Sequence, residues 1–373
     1  MIDQISLENF KCFESQALKV RMLTLLTGLN GMGKSSVLQS LLLLRQSYLD
    51  GLLPEIGLEL NGSLVRMGTA QDVLFESAQE DAFSIQVAWS NRKAVCFVFQ
   101  YHRESDILKI TSGDHDCTAF DEALFSDSFH YLQAERFGPR IFNPVSDYLV
   151  REHGQLGTNG EYAPHFLHLY GKEPVCDERL MHPGAKSKQL DSQVQAWLHE
   201  ISPGTELHLN MHSEMDLVNL RYSFVTGEQR SRPYRSTAVG FGITYVLPLL
   251  LAVLSSKPGC LVLVENPEAH LHPRGQSILG ELFARAAAVG IQIILETHSD
   301  HILNGVRVAV RDDILEPEFV AFHFFSREEG EGRVHSVVDS PVVDVDGRLD
   351  RWPEGFFDEW DRNLERLLEP RGR

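Results

Sequence analysis

The sequence predicts an α/β fold: a largely parallel, three-layer core with an antiparallel β lobe and a loop-rich insertion. Three observations carry this. Strand-like and helix-like runs alternate through both ends of the chain, the pattern of a sheet covered by helices. Two apolar runs, LVLVE (261–265) and IQIIL (291–295), are short and almost continuously hydrophobic, as buried strands are. Between LTLLT and VLQSLLLL stands GLNGMGKSS (28–36), a glycine-rich turn leading from strand into helix.

Taken in order, ISLENF (5–10) and LTLLTG (23–28) read as short strands, the second running straight into that turn. KSSVLQSLLLLRQSYL (34–49) is then a buried helix. FSIQVAW, AVCFVFQYH and DILKITS are strand-like runs with short polar breaks, which makes an antiparallel subsheet. FHYLQAERFGPR (129–140) reads as a further strand ending in a polar turn. Residues 141 to about 185, rich in Gly, Pro and His, show no clear period and are taken as loop.

From 189 onward the text is regular. LDSQVQAWLHEI has helical spacing, and TELHLNMHS and LVNLRYSFV alternate like paired strands. A helix opened by VGFGI runs to about Ser255, and another runs from about Arg274 to Ala288. HILNGVRVAVR follows the second buried strand as a helix. FVAFHFF and GRVHSVV pattern as a hairpin, and PEGFFDEWDRNLERLL (353–368) as an amphipathic helix. The aromatics Trp352, Phe356, Phe357 and Trp360 are read as core packing.

A chain of 373 residues suits one large or two modest domains and can bury a full core. Its formal charge of −18 argues against coating nucleic acid by bulk electrostatics. EQRSRPYRS (228–236), with Arg230, Arg232 and Arg235, is either a local basic strip or a solvated loop. Five cysteines, odd in number and without a C-x-x-C pair, point to a reducing compartment. The N-terminal MIDQISLENFKCF has no apolar signal core. The longest apolar stretch, YVLPLLLAVL (245–254), falls well short of the roughly 20 residues that span a bilayer. A cytoplasmic protein with no membrane segment is expected.

GLNGMGKSS fits G-x-x-x-x-G-K-S, the spacing that cradles nucleotide phosphates. Gly28 and Gly33 let the backbone wrap the phosphates, and successive N–H groups form an anion nest at a helix N-terminus. The binding set read from this loop is Asn30, Gly31, Gly33, Lys34, Ser35 and Ser36. Lys34 reaches the β/γ-phosphates and Ser35 ligates Mg²⁺. Glu265, ending a buried strand, matches the Walker B pattern and supplies the second metal-binding oxygen. ATP and Mg²⁺ are the cofactors this predicts. His270 and His272 sit at i, i+2 without a third ligand at zinc spacing, so loop packing or an interface role is the better reading.

The motifs together resemble a family. ENPEAHLHP (265–273) is similar to the Walker B and D-loop of ABC-type ATPases of the SMC and OLD kind, and LETHSD (295–300) to their switch strand. ISLENFKCF (5–13) is similar to their first strand and turn. STAVGFGITYVLP, VENPEAHLHPRGQ, ETHSDHILNGVRVAV and WPEGFFDEW together resemble bacterial P-loop ATPases with a small C-terminal domain of unknown function, of the antiphage-defence type. The resemblance is thin over 140–230. It implies an ABC-ATPase-head P-loop fold over residues 1–325, with an insertion at about 141–235. Residues 326–373 then form the small C-terminal domain, a hairpin plus an amphipathic helix.

In such ATPases two chains face head to tail, and each ATP is held by one chain's phosphate loop and the partner's signature motif. Here AVGFGITYVLP is the signature region, with Gly240 and Gly242 opening a helix toward the partner's γ-phosphate. His298 stands at the switch histidine that touches the γ-phosphate, and His272 at the D-loop aspartate of transporters. For the Q-loop glutamine the resemblance leaves Gln133, preferred because it follows a strand, and Gln71.

Two departures matter. Where the family shows Asp then Glu, this chain has Glu265 then Asn266. An amide cannot accept a proton, so either Glu268 orients the attacking water or turnover is slow. Gly240 also replaces the signature serine, with Thr237 and Thr244 nearby.

The function expected is a slow ATPase that dimerises around nucleotide and regulates a partner effector, such as a nuclease, in antiphage defence. About 100 residues of loop and hairpin stand where SMC proteins insert long coiled coils, which excludes a DNA-bridging arm. Asp344 and Asp346 offer an OLD-like nuclease a D-x-D pair, but a turn is the simpler reading and too little chain follows for a Toprim fold. A transporter ATPase is disfavoured by the missing D-loop aspartate and signature serine. Direct DNA binding as a repair ATPase, along Arg136, Arg140 and Arg230–Arg235, is opposed by the acidic total.

Overall fold

The computed structural model describes residues 1–330 and 333–368. Its central sheet has six strands in the spatial order Arg333–Asp339, Val320–Gly330, Leu23–Gly28, Gln292–Glu296, Leu261–Glu265 and Phe129–Leu132. Every neighbouring pair is parallel except the hairpin at one edge. Register brings the carboxyl ends level: Glu265 lies beside Glu296, Glu296 beside Leu26, and Gly28 beside Phe325.

The interior strands Leu23–Gly28, Gln292–Glu296 and Leu261–Glu265 are largely apolar because both faces are covered. Leu261, Leu263, Ile294, Leu26 and Phe325 point to one side, into a core shared with the helix Lys34–Leu49 and the antiparallel lobe. Val262, Val264, Ile293, Leu295, Leu25, Phe322 and Phe324 point to the other, against the helices Phe241–Leu254, Pro273–Ala288 and Asp300–Arg311. Three layers result, as the alternation of runs implies.

The antiparallel lobe holds six strands in the order Phe13–Lys19, Ile2–Phe10, Ala82–Trp89, Ala94–Gln100, Ile107–His115 and Gly57–Glu59. Period-two burial of Phe83, Ile85, Val87 and Trp89, facing Val95, Phe97 and Phe99, seals it onto the phosphate-loop helix. A third sheet is built on Thr205–His212 paired antiparallel with Leu217–Thr226. Asn143–Pro144 and Tyr234–Arg235 add to its edges.

The structure differs from the sequence reading in several places. FHYLQAERFGPR is, as expected, a strand ending in a polar turn, but the strand already stops at Leu132 and the turn passes beneath Glu265. The stretch that reads as loop contains the helix Ala163–Tyr170, with Pro164 in its first turn. The closing helix starts only at Glu359, since the chain turns at Gly355 and Phe357, both at positive φ. Phe356 is buried there, in contact with Phe324, Trp352 and Phe357; the side chain of Trp360 lies outside the described residues. Val320–Gly330 runs unbroken across the expected boundary at 325/326, as an interior strand of the central sheet. Among the described residues no helix is long and apolar enough to cross a membrane.

Candidate functional site

The phosphate loop follows from its glycines. Gly28, Gly31 and Gly33 all have positive φ, at 127°, 75° and 103°. A Cβ on Gly28 would overlap the Phe325 carbonyl, and one on Gly33 would come within 2.6 Å of Cys12 Sγ and Phe13 Cζ. The FKCF turn that opens the chain is therefore the floor under the loop, which gives ISLENFKCF a structural role beside GKSS.

Lys34 is buried, and its Nζ donates to the carbonyls of Gly28 (2.9 Å) and Leu29 (2.7 Å). Burial pulls its pKa down, against the pull of Glu296 and Glu268 upward. Its nearest carboxylate is Glu296, with Nζ to Oε1 at 3.9 Å. The Ser35 hydroxyl hydrogen-bonds Glu296, whose pKa burial nevertheless raises and whose Oε2 has no partner. Sequence reasoning misses Glu296. The signal is there, since both buried parallel strands, LVLVE and QIILE, end in glutamate and register sets the two side by side.

Glu265 is tethered rather than free: Oε1 accepts from the Tyr131 hydroxyl at 2.9 Å and Oε2 from Ala134 N at 3.2 Å. Arg136 locks the same corner from below, donating to the carbonyls of Glu265 (2.8 Å) and Asn266. It is 2% exposed, and burial pushes its pKa down to about 10. A place on a nucleic-acid face is thus wrong for Arg136, which is a bolt beneath the strand Leu261–Glu265. Asn266 has φ 43°, a left-handed turn that Asn tolerates better than Glu does, and its Oδ1 is buried without a partner.

Glu268 joins this strand to the switch. One oxygen accepts from Thr297 Oγ1 at 2.8 Å and the other from His298 N at 2.7 Å. The His298 ring is exposed and hydrogen-bonds the Gly28 backbone. Partial burial and the Lys34 ammonium lower its pKa, outweighing Glu268 and Gly28, so the imidazole is neutral at pH 7. Phosphate loop, switch and Glu268 thus form one connected cluster.

The remaining expected residues fall in two places. Gln133 follows the strand next to Glu265 and donates its amide to Asn159. Gln71 is exposed in the antiparallel lobe, where it accepts from Arg103 at 3.0 Å. Gly240 caps the helix Phe241–Leu254 with open space around its Cα, and Phe241 beside it is 55% exposed. Gly242 is instead pressed against the His270 carbonyl, which a Cβ would overlap. His270 packs its ring on Tyr245 (4.7 Å) and Phe241 (5.4 Å), and His272 caps the next helix through Arg274 N at 3.3 Å. Asp344 Oδ1 accepts from Asp346 N (2.9 Å) and Arg348 N (2.8 Å), a tight turn. Arg230 pairs with Glu206 and Arg232 lies over Tyr234, so the basic strip is partly neutralised.

A cleft of about 1060 Å³ opens over the loop. It is lined by Asn30, Gly31, Gly33, Lys34, Ser35 and Ser36, by Glu296 and Arg327, and by Lys11, Cys12, Asp72 and residues 74–77 of the antiparallel lobe. Among the described residues no three His, Cys, Asp or Glu side chains converge on a metal position.

Family models match the chain in three segments. Residues 1–136 match an "AAA ATPase domain", and 123–304 an "AAA domain, putative AbiEii toxin, Type IV TA system". Residues 315–367 match a "Protein of unknown function (DUF3696)". No curated protein matches the chain. Among solved structures, an Smc head bound to the C-terminal winged-helix domain of ScpA has TM-score 0.55 at 13% identity, over 91% of this chain and 98% of that one. An Smc head with an extended coiled coil, bound to the C-terminal domain of ScpA derived from Pyrococcus furiosus, has TM-score 0.53 at 12% identity, over 99% of each. The chain is thus similar in sequence to AAA-type ATPase domains over two overlapping segments, and its mixed α/β fold resembles that of SMC ABC-ATPase heads.

Proposed function

We propose that this chain binds ATP·Mg²⁺ in the cleft over residues 28–36, hydrolyses it slowly, and dimerises around it to regulate a partner effector. The observation that carries this is the convergence of Lys34, Ser35, Glu296, Glu268 and His298 on one phosphate loop. Asn30, Gly31, Gly33 and Ser36 cradle phosphate through backbone and hydroxyl donors, and Gln133 flanks the Walker B corner. Ser35 and Glu265 would hold Mg²⁺, with Glu296 near enough to join them. When bound, Mg²⁺ supplies charge to the phosphate oxygens and lowers the cost of their displacement.

The rest is done by this chain's own groups. Lys34 neutralises phosphate charge once its loop carbonyls release it. Neutral His298 donates toward the γ-phosphate, and Glu268, already holding its backbone, orients water. Asn266 cannot serve as base, which accounts for slow turnover. The exposed helix start at Gly240 and Phe241 suits a partner's triphosphate, because the first N–H groups of a helix lack intrahelical acceptors and no side chain caps them here. Residues 1–325 would be the ATPase unit, with the insertion at about 141–235, and 326–373 a C-terminal unit joined to it through the strand Val320–Gly330, which both share. The match over 123–304 to a family described as a putative toxin of a type IV system, with the resemblance to defence ATPases, supports a defence setting. A nuclease is the effector that setting favours.

Light scattering of the full chain with and without ATP·Mg²⁺ tests the reading. A doubling of mass that Lys34→Ala abolishes supports it. An unchanging monomer at saturating nucleotide sinks it.

A further inference from the structure

Two side chains of the nucleotide cleft come from the C-terminal part of the chain. Arg327 and Ser336 are register partners on the hairpin formed by Val320–Gly330 and Arg333–Asp339, and both line the cleft. The hairpin is held to the loop by close backbone contact, with Phe325 level with Gly28 and no room for a side chain between them. Phe325 also meets Phe13 at 6.2 Å, and Phe13 is the ring that floors Gly33. Two residues further along a strand point to the same face, so Arg327 projects where Phe325 does, toward the loop.

Its Nη2 donates to the Gly31 carbonyl at 3.2 Å. A neutral carbonyl at that distance is a modest acceptor for a guanidinium, whose planar fork of donors matches phosphate oxygens far better. Around Gly31 the space is open, with nothing within 4 Å of where a side chain would begin. Lys11, whose Nζ is engaged by Gln39 at 2.8 Å, stands across the same cleft, so Arg327 is the arginine placed to close it.

We propose that Arg327 is a nucleotide ligand: it leaves the Gly31 carbonyl for an oxygen of the bound triphosphate and so couples the C-terminal hairpin to nucleotide occupancy. This rests on the ATP-binding reading above and deepens it. It gives the segment 315–367 a role, that of sensing whether the cleft is filled. Arg327 adds a positive charge on the side of the loop opposite the switch, so the phosphate chain is gripped from both flanks. The signal continues outward through Phe324, next to Phe325, whose ring packs on Phe356 at 5.4 Å.

The experiment is calorimetric titration of the full chain with ATP·Mg²⁺, together with hydrogen exchange of residues 320–328 with and without ATP. Wild type, Arg327→Ala, Arg327→Lys and Lys34→Ala are compared. Arg327→Ala weakens ATP by about ten-fold or more, the loss of one charge-assisted bond. Arg327→Lys recovers part of it, since charge remains while the fork is gone. Exchange in the hairpin slows with ATP in wild type and does not in Arg327→Ala. An alanine variant that binds within about two-fold of wild type overturns the proposal, since a lost ion contact costs more than that. A wild-type chain that binds no ATP sinks the ATP reading itself, whereas a binding wild type matched by its alanine variant sinks this inference alone.

Discussion

Lys34 and Glu296 form a buried pair, Nζ to Oε1 at 3.9 Å, with neither side chain more than 8% exposed. The lysine of the phosphate loop is thus held, before any phosphate arrives, by two loop carbonyls and by the acid that ends the neighbouring strand. Both groups are strained electrostatically in the same direction: burial disfavours the charged form of each. A ligand that brings phosphate to Lys34 relieves the lysine. A cation beside Ser35 relieves the glutamate.

From this pair comes a prediction about pH. A carboxyl whose folded-state pKa is raised above the usual 4.5 costs stability once it ionises. The cost is absent below the unfolded value, grows as pH climbs to the folded value, and is constant above it. Glu296→Gln therefore melts at a higher temperature than wild type at pH 7 to 8 without nucleotide, and the gap closes toward pH 4. The same variant hydrolyses ATP more slowly. Thermal melts across that range check the first claim, and a wild-type advantage at pH 8 would contradict it.

Lys34→Ala is expected to weaken ATP by more than about 100-fold, equivalent to about 3 kcal/mol, because a charged donor to phosphate is lost. Fluorescence titration with a labelled ATP analogue measures it. The fold should survive, since the backbone of the loop is set by its glycines and by Phe13, not by the lysine.

Glu268→Gln separates positioning from binding. A carboxylate accepts at both oxygens, from Thr297 and from His298 N; an amide offers only one acceptor and turns two donors toward the other. Turnover falls by about 10²–10⁴, the usual loss of an oriented base, while ATP affinity changes little. Undiminished hydrolysis would remove Glu268 from the chemistry.

What can be read in the sequence divides along a physical line. Continuous apolar strands and the glycine spacing of residues 28–36 are local signals, so the layers, the loop and Glu265 are legible in the residues alone. Relationships across strands are not. Glu296 stands as plainly in the text as Glu265, but only parallel register makes them neighbours. Arg136 reads as a surface arginine in QAERFGPR; its burial depends on the strand Phe129–Leu132 ending early, so that the turn passes beneath Glu265. The hairpin beginning at Val320 patterns correctly as paired strands, yet nothing local announces that one of them lies beside Leu23–Gly28. Asn266 reads as a missing base, and its left-handed φ of 43° adds a conformational reason that the sequence hides.

The start of the helix Phe241–Leu254 yields the sharpest contrast, because Gly240 and Gly242 do different work two residues apart. Gly242 touches the His270 carbonyl, so Gly242→Ala must push the helix off the loop that follows Glu265. A cost of about 1–3 kcal/mol is expected, visible as a lower urea midpoint. Gly240 has φ −61° and open space, so Gly240→Ala leaves folding stability within about 0.5 kcal/mol. If that helix start meets a partner's triphosphate, the added methyl group still interferes where the two chains close. The mutant then binds ATP as a monomer with normal affinity and fails to double its mass in light scattering. A Gly240→Ala chain that dimerises like wild type would place the trans contact elsewhere, with exposed Phe241 the next residue to vary.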